Sequence, residues 1–469
     1  MNKKLKALMF LGLLSVLLIL SGYLLLGKYY SEGFGLNTWI NGVYCTGKSV
    51  EEVNAELLSG IEAPIVVVTD PDGNEYKLDL SKMDYKADYT AALEGFMEEQ
   101  KPYLWIENIS LHRNLEMEPV LSYDAESLRN SLYMIEAVKE ASLRPEEFQL
   151  SYSAEDGYQL YDGLSGRYDA EKAFDKLVTA IAKGETAVDL GSPDCYYDVP
   201  LTEEQQSVKK LWSKLEKYYQ CDIVYDMGAE QIEFTPGVLS GFLLTKNERP
   251  ILDREGNLVL NEEAVEAYIK DLARQYDTYK QEREFQSTRG DIVTVKGGTY
   301  GTQLDQKAEI TFLMENLLAE NMHTGTVQKH IPEYTREAYA RGLNDIGGTY
   351  IEIDITEQKL YCYKDGSLEI ETDIVTGNKR RGMSTTEGVY YVYAKQTDRI
   401  LRGEGYASPV DYWMPVNGGI GIHDADWRNK FGGEIYKTNG SHGCINVPPE
   451  VMPDIYEMME VGTPVIIFN

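Results

Sequence analysis

The stretch IHDADWRNKFGGEIYKTNGSHGCINV, residues 422–447, contains two of the five histidines and one of the five cysteines of the chain. His423 stands near its start, and a single residue separates His442 from Cys444 near its end. A thiol is a useful nucleophile only as a thiolate, which needs a nearby base or positive charge to lower its pKa. The stretch therefore indicates a Cys/His acyl-transfer site, with Cys444 as nucleophile and His423 or His442 as base.

Gly443 lies between His442 and Cys444 and permits backbone geometry that is closed to other residues. It also lets a substrate approach closely and leaves main-chain N–H groups available to stabilise an oxyanion. The residue types leave two other interpretations open. One is a zinc site with His423, His442 and Cys444 as ligands, although this spacing matches no common zinc pattern. The other is a buried cysteine beside incidental histidines.

Strand patterns dominate the sequence around this stretch, from residue 347 to residue 469. In YIEIDI, residues 350–355, alternation places Ile351, Ile353 and Ile355 on one face. Further strands are predicted in KLYCYKDGSLEIETDIVTG (359–377), GVYYVYAK (388–395) and TPVIIFN (463–469), and helical signal is confined mostly to PEVMPDIYEMME (449–460). Residues 347–469 are therefore expected to form a compact, mostly β domain in which Cys362 is a small buried strand residue.

The preceding part of the chain alternates short extended stretches with amphipathic helices. Glycine turns lead into predicted helices at 169–185 and 304–320, a looser copy occurs at 47–58, and another turn and helix occupy 255–279. This repetition predicts two α+β modules, residues 29–205 and 206–346, with a boundary between 200 and 216. His112, His323 and His330 are isolated in sequence, so each is expected to be a surface or cap residue.

The N-terminus carries an uncharged apolar run from Ala7 to Leu26, long enough to span roughly 30 Å as a helix. Lysines at positions 3, 4 and 6 precede the run, and Lys28 follows it closely. The positive-inside rule then predicts a cytoplasmic tail and transmembrane anchor in residues 1–28, with everything after Tyr29 outside the cell. A cleaved signal peptide is the competing interpretation, but its apolar core is usually shorter and no small-x-small cleavage site follows Leu26.

Composition narrows the class of protein. The chain has 469 residues, which suggests about three to four folded units. Its 76 acidic against 45 basic residues give a formal charge of -31, so a phosphate backbone would be repelled and nucleic acid is excluded as a partner. The five cysteines are widely spaced without a C-x-x-C pair, which argues against a disulfide scaffold and a structural zinc site.

Residues 347–469 resemble the L,D-transpeptidase catalytic domain, or YkuD-type domain, of bacterial cell-wall synthesis. The family signature is a His, a gap, then Ser/Thr-His-Gly-Cys-x-Asn; here His423 is followed by 17 residues and then Ser441-His442-Gly443-Cys444-Ile445-Asn446. The segment IVTGNKRRGMSTTEGVYYV, residues 374–392, is similar to the family's strand-TG-TPxG-strand segment but lacks the usual proline. The segments at 257–278 and 283–301 are similar to the peptidoglycan-binding modules that precede this domain in Gram-positive members.

The resemblance implies a multidomain chain with a transmembrane helix, α+β modules and a C-terminal mostly-β catalytic domain that acts on peptidoglycan stem peptides. Cys444 would attack the carbonyl after the third residue of a tetrapeptide donor, release D-alanine and form a thioester that an acceptor amine resolves as a 3→3 cross-link. His423 would be the general base, its other ring nitrogen held by a main-chain carbonyl near Asp424. His442 would shape the site or assist protonation.

The same resemblance assigns supporting roles. The N–H groups of Gly443 and Cys444 are candidates for the oxyanion hole, and Ser441 and Asn446 are expected to support the loop. Three aromatic residues, for which packing is the alternative, are expected to line the substrate cleft: Tyr412, Trp413 and Trp427. No metal or organic cofactor is implied, and carbapenems are the β-lactam class suggested. Two alternatives remain: an L,D-carboxypeptidase with the same nucleophile, and a non-catalytic cell-wall-binding protein.

Overall fold

The computed structural model describes residues 3–403 and 406–469. The chain forms two compact units, one of residues 1–149 with 161–202 and the other of residues 150–160 with 203–469. Each unit has hydrophobic cores of its own, and the Cys/His stretch, residues 422–447, lies wholly in the second unit.

The first unit begins with α1 (Lys3–Glu32), a continuous helix of 30 residues that contains the apolar run. The apolar side chains from Leu8 to Leu20 are largely exposed rather than packed in a protein core. Within the described part of the chain, α1 is the helix whose length and apolar composition would allow it to cross a membrane. A signal sequence would have the same length and composition.

The remainder of the first unit is an α+β assembly of short elements. Its helices are α2 (Val50–Leu58), α3 (Thr90–Glu99), α4 (Ala125–Tyr133), α5 (Glu136–Leu143) and α6 (Ala170–Ala182), with a 3₁₀ helix at Pro102–Ile109. Its strands are β1 (Thr38–Ile40), β2 (Val43–Tyr44), β3 (Ile65–Thr69), β4 (Glu75–Asp79), β5 (Lys86–Asp88), β6 (Arg113–Leu115), β7 (Val120–Ser122), β10 (Arg167–Tyr168), β11 (Ala187–Asp189) and β12 (Tyr196–Tyr197), and the hairpin β8 (Phe148–Ser153) and β9 (Gly157–Asp162) carries residues of both units.

The helix α6 shows why these elements form. Asp169 caps it by accepting hydrogen bonds from the N–H groups of Glu171 and Lys172, and its apolar face, which includes Phe174 and Leu177, is buried in a core with β3. The helices predicted at 169–185, 255–279 and 304–320 are all present, so the periodicity identified them correctly.

The second unit starts with an α+β region. Its helices are α7 (Glu203–Tyr218), α8 (Pro236–Gly241), α9 (Glu262–Tyr276) and α10 (Gln306–Asn316), and its strands are β13 (Ile223–Asp226), β14 (Gln231–Glu233), β15 (Thr245–Lys246), β16 (Arg249–Pro250), β17 (Arg283–Gln286), β18 (Ile292–Val295), β19 (Gln303–Leu304), β20 (Gln328–His330) and β21 (Tyr334–Arg336). A small sheet of order β14-β13-β20 and the helices α7, α9 and α10 share one core.

His330 differs from the sequence expectation of an isolated surface or cap residue. Its Nε2 lies 2.7 Å from Oε2 of the buried Glu309, and its ring stacks on Phe312 with 3.6 Å between centroids. The contact joins residues 21 positions apart and depends on the packing of β20 against α10, which local sequence does not reveal.

The C-terminal β domain follows in the same unit. Its strands are β22 (Tyr350–Asp354), β23 (Lys359–Lys364), β24 (Ser367–Asp373), β25 (Gly388–Tyr391), β26 (Gln396–Gly403), β27 (Tyr406–Asn417), β28 (Ile420–Asp424), β29 (Ile445–Val447) and β30 (Pro464–Phe468), and its helices are α11 (Ile435–Asn439) and α12 (Met452–Met458). The strands form two sheets, of order β24-β23-β22-β30-β25 and β26-β27-β28-β29. Ile351, Ile353 and Ile355 are buried in a core that both sheets share, as the alternation predicted.

The second sheet brings the two ends of the Cys/His stretch together. β28 and β29 pair in parallel, with His423 opposite Asn446 and Ile422 opposite Ile445. Cys444 immediately precedes β29, so the parallel register places it beside the strand that carries His423. The 17 residues between His423 and Ser441 contain α11 and return the chain to the start of β29.

The hairpin of β17 and β18 contacts the first sheet of the β domain. In its turn, Thr288 donates its N–H to Glu352 Oε1 at 2.9 Å and its hydroxyl to Oε2 at 2.6 Å. Arg289 donates to Asp354 Oδ2 at 3.0 Å. Both carboxyl groups are fully buried, so the turn supplies hydrogen-bond donors to acids on β22 that water does not reach.

Candidate active site

Cys444 lies at the end of a tight loop and is 9% exposed. Its Sγ packs beside Val410 and Trp413, and its thiol donates to the Gly419 carbonyl oxygen at 3.6 Å. Burial raises the pKa of the Cys444 thiol, and a hydrogen bond from the Gly421 main chain opposes that rise. The thiol is therefore neutral at neutral pH in the free protein.

His423 lies on β28 and is almost completely buried, with 3% of its surface exposed. Its Nδ1 lies 2.6 Å from the Asp424 carbonyl oxygen, and its Nε2 lies 3.0 Å from Asn446 Nδ2. A carbonyl oxygen can only accept, so these contacts assign the proton to Nδ1 and the lone pair to Nε2. Burial lowers the pKa of His423, while the Asp424 carbonyl and carboxylate raise it. The neutral ring thus presents Nε2 as a proton acceptor.

Asn446 connects His423 to the half-buried cation of Arg428. Its Oδ1 accepts a hydrogen bond from Arg428 Nε at 2.7 Å, which leaves Nδ2 to donate to His423. Arg428 also donates from Nη1 to the Asn439 carbonyl oxygen at 2.9 Å, and burial lowers the pKa of its guanidinium. The orientation of the Asn446 amide follows from the chemistry of its two partners, since a guanidinium only donates.

The loop before Cys444 is held by local hydrogen bonds. Ser441 donates its hydroxyl to the Cys444 carbonyl oxygen at 2.5 Å and accepts from the Gly443 N–H at 3.0 Å. Gly443 has φ of 117°, a value that side chains disfavour. The sequence named the Gly443 N–H as a candidate oxyanion donor, and in the free protein this group is engaged by Ser441.

A second segment supports this loop and was not assigned a role from the sequence. The Thr385 hydroxyl donates to the Gly443 carbonyl oxygen at 2.8 Å and accepts from the Gly377 N–H at 2.9 Å. Asn378 donates its N–H to the Ser441 carbonyl oxygen at 2.9 Å. The sequences TGN (376–378) and STTEG (384–388) are visible in the chain. Nothing in them, however, indicates that they contact residues about sixty positions later.

These residues surround a cavity of about 360 Å³, lined by Arg381, Leu401, Ser408, His423, Trp427, Arg428, Asn439, Gly440, Ser441, His442, Cys444 and Asn446. The three predicted catalytic side chains therefore face one space. Of the three cleft aromatics, Trp427 lines the cavity, Trp413 is buried against Cys444, and Tyr412 packs on Tyr456 with 5.0 Å between ring centroids. Arg381 and Arg428 add positive charge that the sequence analysis did not assign to the site.

The state of the cysteines bears on the alternative of a metal site. Cys45, Cys195, Cys221, Cys362 and Cys444 are free thiols. Within residues 3–403 and 406–469, no group of three or more His, Cys, Asp or Glu side chains is arranged to hold a metal ion.

Two family models match the chain. Residues 348–467 match YkuD, the L,D-transpeptidase catalytic domain, and residues 239–323 match the family described as "Putative peptidoglycan binding domain". No curated protein matches the chain.

Among solved structures, a cysteine-to-serine mutant of Enterococcus faecium L,D-transpeptidase is 33% identical, with a TM-score of 0.48, over 55% of this chain and 100% of that one. The catalytic domain of E. faecium L,D-transpeptidase acylated by ertapenem is 49% identical, with a TM-score of 0.24, over 26% of this chain and 98% of that one. An L,D-transpeptidase from Mycobacterium tuberculosis H37Rv is 25% identical, with a TM-score of 0.24, over 26% of this chain and 58% of that one. Since the identity to the first of these extends over its whole length, the chain belongs to the L,D-transpeptidase family and carries its YkuD catalytic domain at the C-terminus.

Proposed function

We propose that the protein is a peptidoglycan L,D-transpeptidase that forms 3→3 cross-links through a thioester on Cys444. The observation that carries this proposal is the placement of Cys444 and a neutral His423 in one cavity of a YkuD domain. The donor is a tetrapeptide stem, the leaving group is its terminal D-alanine, and the acceptor is the side-chain amine of a second stem.

In the acylation step, His423 Nε2 takes the Cys444 proton as Sγ attacks the carbonyl between the third residue and D-alanine. The tetrahedral intermediate collapses when the protonated imidazole returns that proton to the departing amine, which leaves a thioester. The acceptor amine then attacks the thioester, loses a proton to Nε2, and regenerates the thiol when the sulfur is reprotonated. No metal or organic cofactor takes part in these steps.

Two hydrogen bonds of the free protein must be exchanged before these reaction steps can occur. His423 Nε2 accepts from Asn446, so proton uptake from Cys444 requires the ring to exchange that bond for the thiol. Gly443 N–H is bonded to Ser441, so its use in an oxyanion hole likewise requires a shift of the Ser441 hydroxyl. His442, which lines the cavity, is the residue to which we assign shaping of the acyl pocket and assistance in protonation.

Arg381 is positioned to recognise the donor. It is exposed, lines the cavity, and stands at the end of the Lys379–Arg381 turn whose Asn378 braces the Ser441 loop. The donor stem ends in a D-alanine carboxylate, and a guanidinium is the side chain best suited to bind a carboxylate. Of the cleft aromatics, Trp427 is the one that we place against the substrate.

The membrane and the cell wall define the proposed location. Residues 1–28 form a cytoplasmic tail and single-pass anchor, since Lys3, Lys4 and Lys6 precede an exposed apolar helix. Residues 29–205 and 206–346 are modules that bind glycan or set the reach of the catalytic domain, residues 347–469, outside the cell. The match of residues 239–323 to a peptidoglycan-binding family supports the second module.

Mass spectrometry tests the reaction. The full chain in detergent is incubated with a disaccharide-tetrapeptide, with Cys444→Ala and the half-buried Cys221→Ala as paired variants. We expect a dimer lighter than two monomers by one D-alanine, formed by the Cys221 variant and absent with the Cys444 variant. D-alanine release without dimer would identify the carboxypeptidase instead, and no reaction in any of the proteins would favour the wall-binding protein.

The ertapenem adduct of the E. faecium catalytic domain suggests a second probe of the nucleophile. We propose that carbapenems acylate Cys444 by opening the β-lactam ring, which adds the whole drug mass to the peptide that contains this residue.

A further inference from the structure

Residues 102–111, with the sequence PYLWIENISL, expose apolar side chains although they are folded against the protein. Five large ones are more than a third exposed: Tyr103 at 48%, Leu104 at 41%, Ile106 at 54%, Ile109 at 53% and Leu111 at 57%. We name this segment the collar. Several large apolar side chains that stay exposed within one short segment of a folded domain indicate an interaction site.

The collar is attached to α1 at a defined level. Trp105 donates its indole N–H to the Tyr23 carbonyl oxygen at 3.1 Å, and the Tyr23 hydroxyl donates to the Tyr103 carbonyl oxygen. The Trp105 ring lies 5.6 Å from that of Tyr23 and 6.1 Å from that of Tyr30. The Tyr103 ring occupies the space that a side chain at Gly27 would need.

The spacing of these contacts shows that one face of α1 carries the collar. Tyr23, Gly27 and Tyr30 are four and three residues apart, so they lie on the same side of the helix. Gln100, just before the collar, also donates to the Tyr30 carbonyl oxygen at 2.7 Å. The collar is therefore fixed to the last turns of α1.

The depth of the collar follows from the anchor, so this inference depends on the membrane placement proposed above. The apolar run ends at Leu26, three residues beyond Tyr23, which is about 4.5 Å along a helix. A group bonded to Tyr23 therefore lies at the outer boundary of the hydrocarbon region. This is the depth at which Trp and Tyr rings are enriched, with one side in lipid and the other in water.

We propose that the collar is a membrane-interface element, in which Leu104, Ile106 and Ile109 insert into the outer surface of a phospholipid bilayer. Trp105 and Tyr103 fasten it to α1, and Glu107 and Lys101 remain in the headgroup region. Apolar side chains inserted beside a span add to the hold of the helix on the membrane. The collar thus fixes the first unit at the membrane surface through a second attachment besides the helix.

Fluorescence quenching tests the insertion with the full chain reconstituted in phosphatidylcholine vesicles. Bromines are placed on the lipid chains either near the headgroup or near the chain end, and the emission of Trp105 is obtained as the difference from Trp105→Phe. We expect strong quenching by the shallow bromines and several-fold weaker quenching by the deep ones. Absence of quenching by both would overturn the proposal.

A second pair of variants gives a readout that does not depend on Trp105. In the Trp105→Phe background, Ile106→Trp adds a reporter on the collar, and Met134→Trp adds one at an exposed position of the first unit after α4. We expect quenching of the first and not of the second; equal quenching of the two would overturn the proposal. Quenching that appears only at high protein-to-lipid ratio, together with cross-links between copies, would assign the collar to a second copy of the chain instead.

Extraction of the vesicles with alkaline carbonate separates failure of this inference from failure of the membrane placement. A full chain that leaves the vesicles would refute the anchor itself. A chain that stays with the vesicles while its collar reporters remain unquenched would refute the collar alone.

Discussion

Burial opposes the charged forms of both Cys444 and His423, so the free protein holds a neutral thiol beside a neutral imidazole. The sequence suggested the opposite for the cysteine, because a neighbouring histidine usually lowers a thiol pKa. The difference arises from burial, which disfavours the thiolate and the imidazolium. In addition, His423 is already bonded to Asp424 and Asn446, and the Cys444 thiol to Gly419. We infer that the thiolate forms when substrate binds and the ring exchanges its partner.

Asn446 is the residue that this exchange depends on. Asn446→Ala removes the donor to His423 Nε2 and the acceptor for Arg428, so the ring loses its fixed orientation. We expect kcat/KM to fall about ten- to a hundredfold, the usual effect of a misplaced catalytic group. Steady-state assays of dimer formation measure this change.

Asn446→Asp tests the same contact through its pH dependence. Because the pKa of His423 is lowered and the base must be neutral, the wild-type kcat/KM should decline in acid only below the usual histidine range. A carboxylate beside Nε2 stabilises the imidazolium and raises this pKa, so the acid limb should move to higher pH. An unchanged acid limb would show that Asn446 does not contact the base in the working enzyme.

Arg381 is expected to act on binding rather than on chemistry. Arg381→Ala should raise KM for the tetrapeptide donor about tenfold and change kcat little, since one hydrogen bond to a charged group contributes about 1.5 kcal/mol. Arg380→Ala is the matched control, because Arg380 is also exposed on the same turn and is not among the residues that line the cavity. Equal effects of the two substitutions would mean that general positive charge, and not Arg381 itself, attracts the donor.

At the scale of elements, the sequence predicted what depends on local periodicity. Alternation identified the buried face of β22, and a turn followed by helical spacing identified α6 and α9. His423 and Cys444 could be proposed as partners from the sequence because both lie within one short motif, residues 422–447. Their geometry could not be, since it depends on the parallel register of β28 with β29.

Contacts between elements that are far apart in the chain could not be predicted from the sequence. The brace of Thr385 on Gly443 joins residues 58 positions apart, and the bond of Thr288 to Glu352 joins residues 64 positions apart. Hydroxyl side chains such as these are common in turns and strands, so nothing in their neighbours marks a long-range partner. The engagement of the Gly443 N–H by Ser441 depends on rotamers that sequence does not specify.

The hairpin of β17 and β18 should contribute stability to the β domain through Thr288. Thr288→Val keeps the shape of the side chain but removes a donor to the fully buried Glu352 and an acceptor for Tyr363. We expect the free energy of unfolding to fall by about 1–3 kcal/mol. Chemical denaturation followed by tryptophan fluorescence measures the loss.

Thr294→Val provides the control for that substitution. Thr294 is on β18 of the same hairpin and is exposed, so its replacement should change stability by less than about 0.5 kcal/mol. If both variants were equally stable, the hairpin turn would not support β22 in the way that the hydrogen bonds suggest.

At the scale of the whole molecule, the charged side chains around the cavity have the opposite sign to the net charge of the chain. The chain carries a formal charge of -31, yet the cavity around Cys444 is lined by the guanidinium groups of Arg381 and Arg428. An anionic donor, as in the function proposed above, would therefore be repelled by much of the surface and attracted at this cavity. The acidic surface also makes strong binding of the modules to anionic wall polymers unfavourable, which is consistent with recognition of peptidoglycan through specific contacts.

Buried groups change the pH dependence of unfolding in two opposite directions, because some of their pKa values are raised and others are lowered. Burial raises the pKa of Glu352 and of Asp345, so the stability that each contributes is present below its unfolded pKa and is lost as pH rises through the folded value. The lowered pKa of His423 acts in the other direction, because its contribution is present above the unfolded pKa and is lost as pH falls through the folded value. Acid and neutral conditions are thus each unfavourable for a different buried group.

Glu352→Gln isolates one of these contributions. Glutamine can accept the Thr288 N–H with its oxygen and donate to the Thr288 hydroxyl, so both contacts have a replacement while the buried charge is lost. We expect the variant to gain stability relative to wild type as pH rises from about 4.5, the unperturbed value for a glutamate, towards neutrality. Urea unfolding at a series of pH values measures the difference, with the exposed Glu369→Gln on β24 as the control that should follow the wild type. A Glu352 variant whose stability relative to wild type is the same at every pH would mean that this carboxyl has the same pKa in the folded and unfolded chain.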